Sequence, residues 1–145
     1  MFKRKKEERL GELLVKKGVI SEKQLGEAIE KHQLEGKLIG RALVDLGYVT
    51  DHDIVATLVV QYGFPYIQLE NYDINVEAVK LVPKQIAVQY KIVPMDIIGN
   101  IILVAMENPL NSKAINAVED ATSKTLRCFI STSGSIELKL NEIYK

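Results

Sequence analysis

The sequence has little of what disulfide-bonded or zinc-binding proteins need. It holds one cysteine, two histidines and no tryptophan. A single cysteine, Cys128, excludes an internal disulfide and fits a reducing cytoplasm. No histidine or basic residue is an evident partner for Cys128, so we interpret it as a small apolar residue of a strand rather than a reactive thiol. Neither His32 nor His52 has a cysteine or a second histidine at metal-ligand spacing, so we expect no metal site.

Net charge and long apolar runs are also absent. The chain carries 19 basic and 19 acidic side chains, divided as 11 and 10 over residues 1–63 and as 8 and 9 over residues 64–145. No basic face indicates DNA as a partner. The longest apolar runs are far shorter than the roughly 20 residues of a membrane helix. The start, MFKRKKEE, lacks the apolar region of a signal peptide. We therefore expect a cytoplasmic protein without a membrane span.

Recognisable catalytic motifs are missing as well. No phosphate-binding loop of the form G-x-x-x-x-G-K-[ST] occurs in the chain. Asp51 and Asp53 flank His52, but they stand at a predicted helix start, where carboxylates favour the helix dipole. Helix capping is the simpler interpretation of these three residues. The sequence thus predicts a protein that is not an enzyme and has no catalytic cofactor.

What the sequence does contain is a stretch that occurs twice near its start. The first copy, RLGELLVKKGVISEKQLGEAIEKH, spans residues 9–32, and the second, LIGRALVDLGYVTDHDIVATLVVQ, spans residues 38–61. The offset is 29 residues throughout, which indicates one supersecondary unit used twice. Each copy predicts a helix, a glycine stop at Gly18 or Gly47, a short link and a second helix. Two such helical hairpins would form a small four-helix unit related by a pseudo-two-fold axis.

Two further signals lie inside each copy. Ser21 with Gln24, and Thr50 with Asp53, have the spacing of capping boxes that start the second helix. Gly11 and its counterpart Gly40 instead stand within the first helices, where glycine costs on the order of 1 kcal/mol relative to alanine. Either close approach of another helix or close approach of a flat ligand could offset that cost, and the sequence leaves both open.

A ligand at the glycines would find suitable chemistry around them. Leu10 with Leu14, or Ile39 with Leu43, could form an apolar surface against which a base lies. An arginine before the glycine could hydrogen-bond O6 and N7 of guanine through its planar fork. An amide at the far end of the second helix could meet another edge of the base or a ribose.

Residues 64–145 have a different pattern, typical of a small α/β unit. We expect an extended segment or edge strand at 65–69, a short helix at 84–91, and strands at 92–97 and 101–106 joined at Gly99-Asn100. A helix capped by Asn111 or Ser112, with an inner stripe of Ala114, Ile115, Val118 and Ala121, should lead to a third strand at 125–130 that runs parallel to the second. A last helix carries Ile136, Leu140, Ile143 and Tyr144. The predicted fold class is therefore α+β: a four-helix unit of two repeated helical hairpins, then a small three-stranded mixed sheet packed with helices.

Several motifs are spread along the chain: Arg9-Leu10-Gly11, the Gly18 stop, the Leu25/Ile29 ladder, Gly63-Phe64-Pro65 with Tyr66-Ile67-Gln68-Leu69, Leu81-Val82-Pro83, and Val104-Ala105-Met106-Glu107-Asn108-Pro109-Leu110. In these motifs the chain resembles the MshEN domain, the N-terminal domain of type II secretion and type IV pilus assembly ATPases of the GspE/PilB type. The resemblance covers residues 9–145. From the residue patterns themselves we expect a flexible basic arm at 1–8, a repeat subdomain at 9–63 and an α/β subdomain at 64–145.

Some members of that family bind cyclic di-GMP through two tandem motifs of the form RLG…Q, one for each guanine half. The resemblance therefore implies a ligand site in both copies of the repeat. Two positions depart from the motif: the first terminal glutamine falls on His32, beside Gln33, and the second arginine position holds Leu38, which cannot hydrogen-bond a guanine edge. The implied site comprises Arg9, Leu10, Gly11, Leu14 and His32 in the first copy, and Leu38, Ile39, Gly40, Leu43 and Gln61 in the second.

Two functions follow from the resemblance. One is a regulatory module that senses cyclic di-GMP through a degenerate second motif. The other is a docking module, without nucleotide, for a cytoplasmic component of the secretion or pilus machinery. Both imply an ATPase domain in cis or in trans, and both place the chain in the cytoplasm, peripheral to the inner membrane through such a complex.

Overall fold

The computed structural model describes residues 6–144 of the chain. Over these residues the chain forms eight α-helices, one short 3-10 turn at Leu69–Asn71 and one three-stranded sheet. This is the α+β class that the sequence predicts. The elements are α1 (Lys6–Lys16), α2 (Glu22–Glu35), α3 (Ile39–Asp45), α4 (Asp51–Tyr62), α5 (Val76–Leu81), α6 (Lys84–Tyr90), β1 (Ile92–Ile98), β2 (Ile101–Met106), α7 (Ser112–Thr122), β3 (Thr125–Ile130) and α8 (Ser133–Ile143).

The chain divides into two compact units between Ile54 and Val55, inside α4. The sequence predicts the boundary after Gly63, just beyond the end of α4 at Tyr62. The predicted subdomain limits, 9–63 and 64–145, stay a prediction. The arm assigned to residues 1–8 needs a correction, because α1 already begins at Lys6. Residues 1–5 of that arm lie outside the described part of the chain.

The first unit is built on α1, α2 and α3. Helix α2 packs along α3, and α1 contacts both of them. Their contact surface is apolar because the residues that recur at helical spacing face inward. The buried side chains are Leu10, Leu14, Ile20, Ala28, Ile39, Ala42, Leu43, Val49 and Ile54.

The second unit is built on the sheet, whose strand order is β1-β2-β3. β1 and β2 pair antiparallel as a hairpin, and β2 pairs parallel with β3, so the predicted mixed sheet is confirmed. The register shifts between Pro94 and Asp96. Proline lacks an N–H for the ladder and is tolerated because β1 is an edge strand with a bulge at this point. The Asn75 side chain fixes the bulge by donating to Asp96 Oδ1 at 3.0 Å.

Helices pack against both edge strands of this sheet: α5, α6 and α8 contact β1, while α7 contacts β3. Two contacts between side chain and backbone hold them in place. Glu119 Oε2 on α7 accepts the backbone N–H of Leu126 on β3 at 2.9 Å. The Tyr144 hydroxyl, just after α8, donates to the carbonyl of Val82 at 2.9 Å.

Of the two alternatives for residues 65–69, the structure has the extended segment rather than a full strand, because only Tyr66 bridges to Ile130 before the 3-10 turn begins. Two other expectations for this unit were incomplete or wrong. Helix α5 was not predicted, although Asn75 caps it by accepting the N–H of Glu77. On α7 the buried position is Thr122 rather than Ala121, since the Thr122 hydroxyl donates to the Val118 carbonyl at 2.8 Å and so needs no water.

Candidate functional site

The link inside each repeat has the same backbone hydrogen bonds in both copies. The N–H of Gly18 donates to Val15 O and that of Gly47 to Val44 O, both at 2.9 Å. The next residue repeats the match, since Val19 donates to Leu14 O and Tyr48 to Leu43 O, both at 3.0 Å. Both glycines have a positive φ, 76° and 79°, which glycine adopts at low cost. The two links therefore have matching backbone conformations.

The second helix of each copy starts with the predicted capping box. Ser21 Oγ accepts the N–H of Gln24 at 3.1 Å, and Gln24 Oε1 accepts the N–H of Ser21 at 2.8 Å. Thr50 and Asp53 make the same exchange at 3.1 Å and 2.9 Å. Each box satisfies two backbone donors that a helix start leaves without partners.

The apolar residues of the candidate site lie in the core. Leu10, Leu14, Ile39 and Leu43 each have 0% of their surface exposed. In this conformation they present no apolar surface to a base, and contact with one would require the helices to separate. Their role as ligand contacts stays a prediction, while their role in packing is visible.

The two helical glycines are also buried. A Cβ placed on Gly11 would lie 2.4 Å from Cδ1 of Leu25, much closer than van der Waals contact allows. Helix α2 therefore occupies the space beside Gly11. Of the two explanations left open by the sequence, close helix–helix approach is the one that this contact supports. Gly40 lies in the buried first turn of α3.

Arg9 and Leu38, which occupy matching positions, differ in their surroundings. Arg9 is exposed on α1. Leu38 is half-buried and stands at the N-cap of α3, where its side chain makes no capping hydrogen bond. Its carbonyl accepts the N–H of Ala42 at 2.9 Å and so begins the helix. Arg9 can thus meet a ligand from solvent, whereas Leu38 offers only a methyl-bearing surface.

The residues at the glutamine positions also differ. His32 is half-buried, and its Nδ1 hydrogen-bonds the carbonyl of Lys37 across the turn that follows α2. A ligand could use only the other ring nitrogen. Gln61 is exposed in the last turn of α4 and belongs to the second compact unit.

A chain of ion pairs, missed by sequence reasoning, lies around the link between the copies. Lys31 Nζ is 2.6 Å from Glu35, and Lys37 Nζ is 3.7 Å from Glu35 and 2.8 Å from Asp45. Arg41 continues the chain, at 4.0 Å from Asp45 and 3.1 Å from Asp51. We call these six residues the ion-pair network. Its contribution to stability is small for each pair, because the side chains are partly exposed to water.

Two hydrogen bonds shift the pKa values of groups in and beside this network. The hydrogen bond from Lys37 holds the pKa of Asp45 below its usual range and raises that of Lys37. The hydrogen bond that Tyr48 donates to Glu27 raises the pKa of the phenol and ties the second link to α2. Three basic and three acidic residues occur together over residues 31–51, and this mixture of charges is a signal that could have indicated the ion pairs.

Other candidate chemistry finds little support in the described residues. No group of three His, Cys, Asp or Glu side chains in residues 9–144 could hold a metal ion. Burial, with the nearby Glu119 carboxylate, raises the pKa of the Cys128 thiol to about 12, and its sulfur lies 3.3 Å from Sδ of Met106. This supports the interpretation of Cys128 as a packing residue. No helix in the same range is both long and apolar enough to cross a membrane.

Comparison with known proteins gives matches along the chain. The sequence model of the MshEN domain matches residues 62–145, which exclude most of the repeat. The type IV pilus assembly ATPase PilB of Myxococcus xanthus is 35% identical over 136 residues, and its counterpart from Thermus thermophilus is 27% identical over 140. These matches cover 94% and 95% of this chain but only 24% and 16% of the relatives. The chain thus spans about a quarter of one relative and about a sixth of the other.

Solved structures agree in fold. A structure of MshE with cdg has a TM-score of 0.75 and 25% identity, covering 99% of this chain and 100% of that one. The N-terminal domain of XpsE has a TM-score of 0.79 at 20% identity, with 100% of both chains covered. The second likeness concerns the fold alone.

Proposed function

Because the chain belongs to the MshEN domain family, we propose that it is a regulatory, non-catalytic domain of a type IV pilus or type II secretion motor ATPase. The similarity to PilB over 94% of this chain supports the proposal. In this role the chain acts on an ATPase domain, in cis or in trans. It works in the cytoplasm, at the inner membrane only through the secretion or pilus complex.

The regulatory ligand that we propose is cyclic di-GMP. One observation carries this choice, namely the similarity to MshE, whose structure was solved with cdg, over 99% of this chain. The duplicated backbone of the repeat suits a ligand with two equivalent halves. Exposed Arg9 can offer its planar fork to one guanine. The buried leucines and Ile39 then hold the helices in place rather than stack on a base.

A docking module without nucleotide is the second candidate. Three observations favour it: Leu38 cannot hydrogen-bond a guanine, His32 Nδ1 is committed to Lys37, and the apolar site residues are buried. In this case the same unit would meet a cytoplasmic component of the pilus or secretion machinery. The two candidates differ in whether cyclic di-GMP binds.

Calorimetric titration of this chain with cyclic di-GMP, with GTP as the control ligand, separates the candidates. We expect binding by the wild type and its loss in Arg9→Ala. If the residue at position 38 meets the second guanine, Leu38→Arg should strengthen binding, since a charge-assisted hydrogen-bond pair contributes about 1.5 to 3 kcal/mol, or roughly tenfold to a hundredfold in Kd. A flat titration at high micromolar ligand for the wild type and Leu38→Arg alike would refute the sensor function and leave the docking module.

A further inference from the structure

The two repeats carry opposite charges at matching positions of their first helices. Glu12 in the first copy corresponds to Arg41 in the second, and Lys16 corresponds to Asp45. Both offsets are 29 residues, so each pair occupies one place in the repeated backbone. The second copy, which lacks an arginine at Leu38, therefore has one at the third residue of α3. Each copy keeps one arginine near the start of its first helix, but at a different position.

The position of Arg41 suits the same part of the site. Residues three apart on a helix are neighbours on its surface, so Arg41 and the Leu38 position lie on one side of the start of α3. The Arg41 side chain is 29% exposed, and its Nη2 lies 3.1 Å from Asp51 Oδ1. Asp45, the other carboxylate beside it, is 4.0 Å from Nη1. The guanidinium is thus held at the surface of the first unit with a carboxylate next to it.

An arginine beside a carboxylate presents donors and acceptors next to each other. Guanine presents the complementary groups, with O6 and N7 as acceptors and the N2 amino group as a donor. Adenine replaces the O6 acceptor with a donating N6 amino group and lacks the N2 group. The pair of Arg41 and Asp51 therefore matches guanine better than adenine.

We infer that Arg41, and not residue 38, contacts the second guanine of cyclic di-GMP in this chain and makes that half selective for guanine. The inference rests on the proposed function, since it assigns a residue to the same ligand. Under this inference each half of the site has an arginine for its guanine, Arg9 in the first copy and Arg41 in the second, but the two arginines stand at different positions of the repeat. Leu38 then contributes packing at the start of α3, in keeping with its half-buried position.

The test uses Arg41→Ala with Lys31→Ala as its matched control. Lys31 belongs to the same ion-pair network, has a similarly exposed side chain at 26%, and also removes one positive charge when replaced. Isothermal titration with cyclic di-GMP should show the affinity of Arg41→Ala weakened about tenfold to a hundredfold. The affinity of Lys31→Ala should stay within about twofold of the wild type, because this variant loses only an ion pair between partly exposed groups.

Arg41→Lys guards against a folding artefact, because lysine keeps the charge toward Asp51 but not the planar fork. We expect Arg41→Lys to melt as the wild type does and to lose most of the preference for cyclic di-GMP over cyclic di-AMP. Equal affinity of the wild type and Arg41→Ala, equal losses in Arg41→Ala and Lys31→Ala, or unchanged base preference in Arg41→Lys would each overturn the inference while the proposed function stands. A wild type that binds neither dinucleotide would overturn both.

Discussion

Replacing Gly11 with alanine tests whether this glycine serves helix packing. In a helix open to solvent the change would stabilise the fold by about 1 kcal/mol. Here the new methyl group would lie 2.4 Å from Cδ1 of Leu25, while Cδ2 and Cγ of Leu25 lie at 3.5 Å, an ordinary contact distance. The Leu25 methyl must therefore move by about 1 Å to reach normal contact.

The net effect follows from two opposing terms. Overpacking of this kind costs about 1 to 3 kcal/mol, and the gain in helix propensity offsets about 1 kcal/mol of it. We expect a loss of up to about 2 kcal/mol, toward the lower end, because the displaced atom is the tip of a flexible side chain. At about 3 °C for each kcal/mol the melting temperature should fall by a few degrees.

Gly26→Ala is the matched control. Gly26 lies in the middle of α2, is exposed, and has no atom within 4 Å of an added Cβ. Thermal unfolding followed by circular dichroism should therefore show Gly26→Ala melting higher than the wild type and Gly11→Ala melting lower. Leu25→Ala should cost about 1 kcal/mol less in the Gly11→Ala background than in the wild type, which a double-mutant cycle measures as the coupling between the two positions. If Gly11→Ala melts as high as Gly26→Ala, the packing argument fails.

The remaining predictions concern the helix cap and the ion-pair network. Thr50→Ala removes the acceptor of the Asp53 N–H and should lower the free energy of unfolding by about 1 kcal/mol in urea titrations. Ser21→Ala removes the matching acceptor in the first copy and should cost a similar amount. A loss of stability in only one of the two variants would show that the two caps are not equivalent. Asp45 has a lowered pKa in the folded chain because Lys37 donates to it, so it stabilises the fold above about pH 4 and this stabilisation disappears as the pH falls through the folded pKa. Lys37→Ala should therefore make the free energy of unfolding less dependent on pH below about pH 4, whereas an unchanged pH profile would show that the pair does not contribute.

The backbone of the repeat could be derived from the sequence because its signals are local. A left-handed glycine at Gly18 or Gly47 ends a helix through its own φ angle, and a capping box satisfies donors only three residues away. The sheet was predictable for a related reason, since β-branched runs joined by Gly99-Asn100 specify a hairpin through neighbouring residues. Helix α5 was missed because its six residues are too few for helical periodicity to be evident.

The candidate site depended on tertiary structure, because the same residue types serve packing and binding. A leucine at position 10 or 14 is equally apolar against a base or against a neighbouring helix, and only the fold shows that both are fully buried. Leu25 beside Gly11 and the Lys37 carbonyl beside His32 are likewise partners whose contacts depend on how helices and turns come together. Local signals in the sequence were enough to derive the three strands, every helix except α5, and the repetition of one unit. The packing of those segments decided which side chains remain at the surface to meet a ligand, since burial depends on neighbours distant in sequence.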